Sequence, residues 1–173
     1  FQALVENGSD AVQLLAADGT IVYATPAALH TGGRTADEVV GHSAFEWCHP
    51  DDAAGLAAEY ERFRAEPGAV VSGEYRYRHK DGSWRWAAAT CTNRLADPAV
   101  GAVVVTVRDV TERVRAEAAL REREELLRSV IAHIPCGVFW KDRESVFLGC
   151  NDLFARDHGL PGSGAVVGRT AVG

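Results

Sequence analysis

The sequence predicts an α+β domain with one five-stranded antiparallel sheet and helices on one face of that sheet. Two short strand-like segments are followed by several short helical segments and then by three longer strand-like segments. Two tight-turn signals, Asp18-Gly19 and Lys80-Asp81-Gly82, separate neighbouring strands in the manner of β-hairpins. Alternating polar and apolar residues in the later strands are typical of an antiparallel sheet with one covered face.

The first predicted hairpin joins strands at residues 11–15 and 20–24, after a short helical lead-in at residues 1–7. Pro26 then begins a short helix, because proline suits the first helical turn. The sequence TADE at 35–38 is a capping box, which predicts a further helix that ends at Gly41.

A longer helix is predicted to begin at HPDD, residues 49–52. Asp51 and Asp52 form a carboxylate pair of the kind used in acid–base chemistry, but their position favours helix capping and an interaction with the helix dipole. Leu56, Tyr60 and Phe63 share one helical face, and Pro67-Gly68 ends the segment.

Three strands are predicted at residues 70–79, 83–93 and 102–108. By alternation, the aromatic residues of the middle hairpin are expected on one sheet face, with Arg76, Arg78 and Arg85 on the other, solvated face. If a small ligand binds, the candidates to line its site are Trp47, Tyr75, Tyr77 and Trp86.

A long helix is predicted over residues 111–134, directly after the last strand and with no glycine or proline between them. Its apolar seam follows 4-3 spacing with Arg123 as the one polar interruption, and comprises Ala116, Leu120, Leu127, Val130 and Ile134. Two interpretations remain open: the seam packs on its own domain, or it forms a two-stranded parallel coiled coil. Asp109 or Thr111 can cap the helix, and Glu112 suits its first turn.

An internal repeat follows the long helix. Residues 10–29 and 136–155 share the order short strand, acid-containing turn, second strand and helix start, and VVG at 39–41 recurs at 166–168. The predicted organisation is therefore a complete domain at 1–110, a linker helix at 111–134 and the beginning of a second, truncated domain at 135–173.

Composition restricts the function classes. The net charge of −6 argues against nucleic acid as a partner, and no apolar run is long enough to span a membrane. The four cysteines have no CxxC spacing, so no metal site is predicted, and reduced thiols in the cytoplasm are expected. Because the 173 residues contain no methionine, we expect an excerpt of a longer protein, in which a membrane anchor would lie elsewhere.

The order of strands and helices, with HPDD, RHKDGSWRW at 78–86 and RDVTER at 108–113, resembles the PAS family of sensory domains. RDVTER is similar to the Asp-(Ile/Val)-Thr motif with which PAS domains feed a signalling helix. The resemblance implies signal transmission through Asp109, Thr111 and Glu112, and a homodimer formed through the linker helix and PAS surfaces. It also implies a tandem-PAS segment of a bacterial sensor histidine kinase. The alternatives are a diguanylate cyclase or a transcription regulator as output.

No catalytic residue is predicted in this chain, which leaves a small α+β enzyme as the weaker alternative. His133 lacks the acid and the Arg-Thr-Pro of kinase histidine boxes. None of the cysteines has the neighbours of a flavin-binding PAS cysteine, and neither His30 nor His49 suits a haem axial ligand. No cofactor is therefore expected, whereas an unidentified small ligand remains open.

Overall fold

The computed structural model describes residues 11–170 and divides into two compact units after Val114. The helical lead-in expected at residues 1–7 lies outside the described residues. The two units are considered separately below.

The first unit contains the predicted five-stranded antiparallel sheet, and its strands appear within two residues of their expected limits. The order across the sheet is β2-β1-β5-β4-β3, so the last strand lies at the centre beside the first. The strands are β1 (Ala11–Leu15), β2 (Ile21–Ala24), β3 (Val70–Arg78), β4 (Trp84–Arg94) and β5 (Ala102–Asp109).

Three helices connect β2 to β3: α1 (Pro26–Gly32), α2 (Ala36–Val39) and α3 (Pro50–Arg64). The Thr25 side chain accepts a hydrogen bond from the N–H of Ala28 and caps α1. The predicted capping box is present at the start of α2.

The helix α2 ends at Val39 rather than at the predicted Gly41. The Gly41 N–H donates to the Ile21 carbonyl and the Ile21 N–H to the His42 carbonyl, at 2.8 and 2.9 Å. These backbone groups therefore bond to β2 instead of continuing the helix. Gly41 permits the change of direction because its φ is +89°.

The capping role expected for Asp52 in α3 is wrong. His49 is the N-cap, and its Nδ1 accepts from the Asp51 N–H at 3.3 Å. The Asp52 carboxylate instead accepts from the backbone N–H and the Nε of Arg76, both at 3.0 Å. The acid therefore joins the start of α3 to β3.

The core of the first unit lies between the helices and one face of the sheet. Tyr60 and Phe63 of α3 are buried there with Leu15, Ile21 and Val103. The side-chain amide of Asn93, 2% exposed, donates to the carbonyls of Phe63, Arg64 and Glu66 at 2.8–3.2 Å. Asn93 thus adds a donor to carbonyls at and just beyond the end of α3, and those of Phe63 and Glu66 also accept from the N–H groups of Glu66 and Ala69.

The long helix α4 (Thr111–His133) leads into the second unit. That unit contains the antiparallel hairpin of β6 (Phe139–Lys141) and β7 (Phe147–Cys150), followed by α5 (Asp152–Asp157) and a 3₁₀ turn at Ser163–Val166. Among the described residues, no helix is sufficiently long and apolar to cross a membrane.

The same arrangement of side-chain hydrogen bonds occurs once in each unit. The Thr25 hydroxyl accepts from the Val12 N–H at 3.0 Å, and the Asn151 side-chain oxygen accepts from the Val138 N–H at 3.0 Å. Both side chains also cap the helix that follows them. These contacts match the repeat found in the sequence.

Candidate functional site

The site begins at Asp109, the last residue of β5, where the sheet meets α4. Its Oδ1 accepts from the Thr111 backbone N–H at 2.8 Å, and its Oδ2 accepts from the Tyr77 hydroxyl at 2.9 Å. Arg85 Nη1 lies 3.8 Å from the same Oδ2. One carboxylate therefore connects β3, β4 and the first turn of α4.

Thr111 fixes the start of α4 on β4. Its Oγ1 accepts from the Trp86 N–H at 2.8 Å, while the Val110 N–H donates to the Trp86 carbonyl at 2.9 Å. Thr111 is 6% exposed, so these bonds are shielded from water. Glu112 lies exposed in the first turn.

Burial acts against ionisation of Asp109, but hydrogen bonds from Thr111 and Tyr77, with the charge of Arg85, outweigh it. The pKa of Asp109 is therefore lowered, and the carboxylate is charged at neutral pH. Burial and the hydrogen bond to Asp109 raise the pKa of Tyr77, which remains a hydroxyl donor.

The Tyr77 hydroxyl has a second acceptor, the carbonyl of Thr31 at 3.1 Å in α1. A hydroxyl carries one proton, so a full hydrogen bond to one acceptor weakens the bond to the other. Tyr77 therefore connects the helical layer to the exit of the sheet.

Arg85 also binds Asp81 in the turn between β3 and β4, with Nη2 and Oδ2 3.0 Å apart. Hydrogen bonds from Ser83, and further ones from His79 and Arg85, lower the pKa of Asp81. In the same turn, Lys80 Nζ lies 2.8 Å from both carboxylate oxygens of Glu38 in α2. Side-chain contacts thus join the turn to α2 and, through Arg85, to Asp109.

The sheet register corrects the expected arrangement of aromatic residues. In the β3–β4 pair, Tyr77 lies opposite Arg85 and Arg76 lies opposite Trp86, and opposed residues share a face. The expectation that all aromatic residues share one face, with the arginines on the other, is therefore wrong. The turn pairs each strand's aromatic residues with polar or small residues of its neighbour. Tyr75 and Tyr77 face the helices, whereas Trp84 and Trp86 lie on the opposite face.

Two small chambers lie between the helices and the inner face of the sheet. One has a volume of about 100 Å³ and is lined by Tyr75, Tyr60 and Phe63, among others. The other has a volume of about 70 Å³ and is lined by Trp47, Tyr75 and Tyr77. Three of the four predicted lining residues thus meet at these chambers. Trp86 lines neither, and the guanidinium of Arg76 lies 5.9 Å from its ring centroid.

Gln13 lines both chambers and was not identified from the sequence. Gln13 has the same parity along β1 as the buried residues Ala11 and Leu15, so alternation in AVQLL places this polar side chain on the inner face. The signal in the sequence that could have identified Gln13 is therefore a polar residue at a position that alternation directs inward.

The predicted seam of α4 lies largely on the surface. Leu120, Leu127 and Val130 are 60%, 53% and 51% exposed. Ala116 is also exposed, whereas Ile134 is partly buried.

Within residues 11–170, no cluster of three or more His, Cys, Asp or Glu side chains has a geometry that suits a metal ion.

The cysteines are free thiols, and burial raises the pKa of Cys48 to about 12 and that of Cys91 to about 11. Both of these thiols line the larger chamber in their neutral form.

Known proteins share this architecture. A PAS domain of an HTR-like protein from Haloarcula marismortui superimposes with a TM-score of 0.54 and 26% identity, covering 62% of this chain and 87% of the other. A PAS domain from Colwellia psychrerythraea superimposes with a TM-score of 0.57 and 20% identity, covering 64% and 94%.

Relatives in sequence align with only a small part of their own length. The sensor histidine kinase TmoS of Ectopseudomonas mendocina is 25% identical over 142 residues, which is 80% of this chain and 14% of TmoS. A chicken basic helix-loop-helix ARNT-like protein 2 is 33% identical over 78 residues, 45% of this chain and 12% of that protein. The family profile described as PAS fold matches residues 21–106. The five-stranded unit of this chain, in sequence and in architecture, therefore belongs to the PAS family.

Proposed function

We propose that this chain is a sensory and signal-transmitting segment in which a change at the inner face of the sheet reaches α4 through Tyr77, Asp109 and Thr111. The PAS fold is sensory rather than catalytic, so any catalytic output belongs to other domains. The continuous series of hydrogen bonds from the chamber-lining Tyr77 to the first turn of α4 carries this proposal.

A stiff joint suits such a role. Three hydrogen bonds fix the first turn of α4 to β4 and to the end of β5. The Val110 N–H donates to the Trp86 carbonyl, and the Trp86 N–H donates to Thr111 Oγ1. The Thr111 N–H donates to Asp109 Oδ1. A flexible linker would let the sheet and the helix move independently. At this joint, displacement of Asp109 displaces the helix start.

The proposed output is that of a cytoplasmic sensor histidine kinase and its phosphorelay. The alignment with TmoS over 80% of this chain supports this output over a diguanylate cyclase or a transcription regulator. The repeated hydrogen-bond device at Asn151 supports a second PAS domain beginning at residue 135.

We also propose that α4 joins two copies of the chain as a parallel coiled coil. Exposure of Leu120, Leu127 and Val130 supports this proposal over packing of the seam on its own domain. Arg123 lies in the same seam and is exposed. Two arginines meeting in the seam would weaken the coil at that layer, which suits a helix pair that changes arrangement.

The test uses the full-length protein. Asp109→Ala and Thr111→Ala are expected to leave the fold largely intact while the output activity stops responding to the stimulus. Asp97→Ala, in the β4–β5 loop, is the control for loss of a carboxylate. Unchanged responses in both joint variants would contradict the proposal.

A further inference from the structure

The two edges of the five-stranded sheet are covered to different extents. At one edge, β2 is short, its pairing with β1 is irregular, and Ile21 bonds to the backbone of Gly41 and His42. At the other edge, β3 pairs with β4 from Val70 to Arg78 without a bulge. A regular edge strand that stays exposed is a template for pairing with another chain.

The sheet register shows which backbone groups of β3 point away from the sheet. The backbone N–H and carbonyl of Trp86 bond to Thr111 and Val110, on the β5 side of β4. The odd-numbered residues of β4 therefore face β3, and they pair with odd-numbered residues of β3. The residues of β3 whose backbone groups face the outer edge are Val70, Ser72, Glu74, Arg76 and Arg78.

Other parts of the domain cover the second half of this edge. The Arg76 N–H donates to Asp52 Oδ2 at 3.0 Å, and its carbonyl accepts from the His49 N–H at 2.8 Å. The Arg78 N–H donates to the Trp47 carbonyl, also at 2.8 Å. These bonds agree with the alternation, and they leave this half without free backbone groups for another strand.

The first half of the edge is open. Val70, Ser72 and Glu74 are exposed residues, and Val70 is 64% exposed. In the part of the chain that the structure describes, no hydrogen bond reaches the outward N–H and carbonyl groups of these residues. Charged side chains commonly protect edge strands, but the charge of Glu74 is paired with Arg113. We call the backbone groups of these three residues the open edge.

Two glycines leave space between α3 and the open edge. Gly73 lies in β3 at a position directed to the inner face, and Gly55 shares a face of α3 with Asp52 and Glu59. A Cβ at either glycine would meet no described atom within 4 Å, and neither has a positive φ. Glycine is unfavourable inside helices and strands. Packing and backbone geometry within the domain therefore do not account for these glycines.

The charges beside the open edge favour a basic partner. Glu59 and Ser72 line the same cavity between α3 and β3. Within residues 11–170, Glu59 and Glu66 have no ion pair closer than 4.0 Å, and the same holds for Arg62 between them. The two acids and one base leave this side of the cleft negative.

We propose that the open edge binds an extended segment of another protein, which joins the sheet as a strand antiparallel to β3. The segment's residues opposite Val70, Ser72 and Glu74 exchange backbone hydrogen bonds with them, and β-branched side chains suit these outer positions. The side chains between them point towards α3, where basic residues meet Glu59. This surface is separate from the joint at Asp109, so the inference goes beyond the proposed function and does not depend on it.

The probe is the acetylated and amidated peptide Thr-Lys-Val-Lys-Thr-Lys-Val, titrated into the whole chain and followed by NMR. Binding with a Kd below about 1 mM is expected. At saturation, the N–H groups of Ser72 and Glu74 are expected to exchange with water at least about fivefold more slowly. Those of Val71 and Gly73 already face β4 and are expected to change by less than about twofold.

Three modified peptides separate strand addition from attraction between charges. N-methylation of both valines removes N–H groups directed at β3 and is expected to weaken binding at least about tenfold. N-methylation of two lysines leaves those groups in place and is expected to change the affinity by less than about threefold. The acidic peptide Thr-Glu-Val-Glu-Thr-Glu-Val is expected to bind at least about fivefold more weakly.

Two pairs of variants test the protein side. Ser72→Pro removes one N–H from the open edge, where a fold tolerates proline, and is expected to weaken binding at least about fivefold. Ser72→Ala loses the same hydroxyl but keeps the N–H, and is expected to stay within about twofold. Glu59→Gln is expected to weaken binding about threefold, whereas Glu61→Gln, on the far side of α3 and paired with Arg64, is the control.

Equal weakening by the two methylation patterns would overturn the proposal, as would the absence of binding at about 1 mM peptide. Equal or tighter binding of the acidic peptide would contradict a basic partner. Without peptide, loss of a dimer in Ser72→Pro but not in Ser72→Ala would assign the open edge to a second copy of the chain instead. The methylation result needs no protein variant, so a Ser72→Pro chain that unfolds leaves the test intact.

Discussion

The Tyr77 hydroxyl donates to Asp109 Oδ2 at 2.9 Å, although 32 residues separate them, and Asp109 Oδ1 accepts from the Thr111 N–H at 2.8 Å. Tyr77 also lines the smaller chamber. Through these contacts, the inner face of the sheet and the first turn of α4 share one carboxylate.

Removing the Tyr77 hydroxyl tests the energy of this contact. Tyr77→Phe is expected to lower the free energy of unfolding by about 1.5–3 kcal/mol, because the acceptor is charged. Urea unfolding measures the change, with Tyr23→Phe as the control. A loss no larger than that of the control would show that the hydroxyl contributes nothing to the joint.

Thr111 can be tested by isosteric replacement. Thr111→Val keeps the shape but leaves the Trp86 N–H without its acceptor, so a loss of about 1–3 kcal/mol in unfolding free energy is expected. Thr111→Ser retains the oxygen and is expected to lose less than half as much. Similar losses in the two variants would assign the effect to packing of the methyl group rather than to the hydrogen bond.

The ion pair between Asp52 and Arg76 makes stability depend on pH. The hydrogen bond from the Arg76 side chain lowers the pKa of Asp52 to about 2, below the unfolded value of about 4. The pair therefore stabilises the fold fully above pH ~4, and this contribution is lost as pH falls towards 2.

Asp52→Asn is expected to cost about 1–2 kcal/mol of unfolding free energy at pH 7. The difference from the native chain should shrink as the pH is lowered from 4 to 2. Asp51→Asn is the control, since Asp51 is 73% exposed and lies 3.5 Å from Arg76. A difference that stays constant between pH 7 and pH 2 would contradict the role given to the charge.

Within the second unit, Asn151 is predicted to hold the β6–β7 hairpin onto the end of α4. Its oxygen accepts from Val138 and Phe154, and its nitrogen donates to the carbonyls of Ile131 and Cys136 at 3.2 and 2.9 Å. Asn151→Asp keeps the acceptors but loses both donors. We expect faster hydrogen exchange in β6, β7 and the last turn of α4, with residues 11–110 unchanged. Uniform exchange across the chain would contradict this local role.

Whether the α4 seam joins two copies of the chain is tested by measuring the oligomeric state. If the coiled coil forms, Leu127→Glu is expected to abolish dimers in sedimentation measurements, while Ala118→Glu, off the seam, is expected to leave them intact. Arg123→Leu is expected to strengthen association about tenfold or more, because it removes the charged layer. A native chain that stays monomeric at hundreds of micromolar would contradict the parallel coil.

The sequence was sufficient to predict the five strands and the capping box at Thr35, because turn residues and alternation are local signals, but it did not show that His49 caps α3. The two faces of the β3–β4 hairpin were assigned wrongly, since parity within one strand does not show which residue of the next strand lies opposite. The position of Trp86 depends on that register. The contact of Tyr77 with Asp109 also needs the tertiary arrangement, because β5 and β3 lie on either side of β4.

The proposed transmission requires that Tyr77 and the first turn of α4 are coupled through Asp109. The most direct measurement is amide hydrogen exchange at Thr111 to Val114 in the native chain, in Tyr77→Phe and in Tyr23→Phe. Exchange in this turn is expected to be at least about fivefold faster in Tyr77→Phe alone, which corresponds to about 1 kcal/mol. Identical exchange at these amides in all three proteins would contradict it.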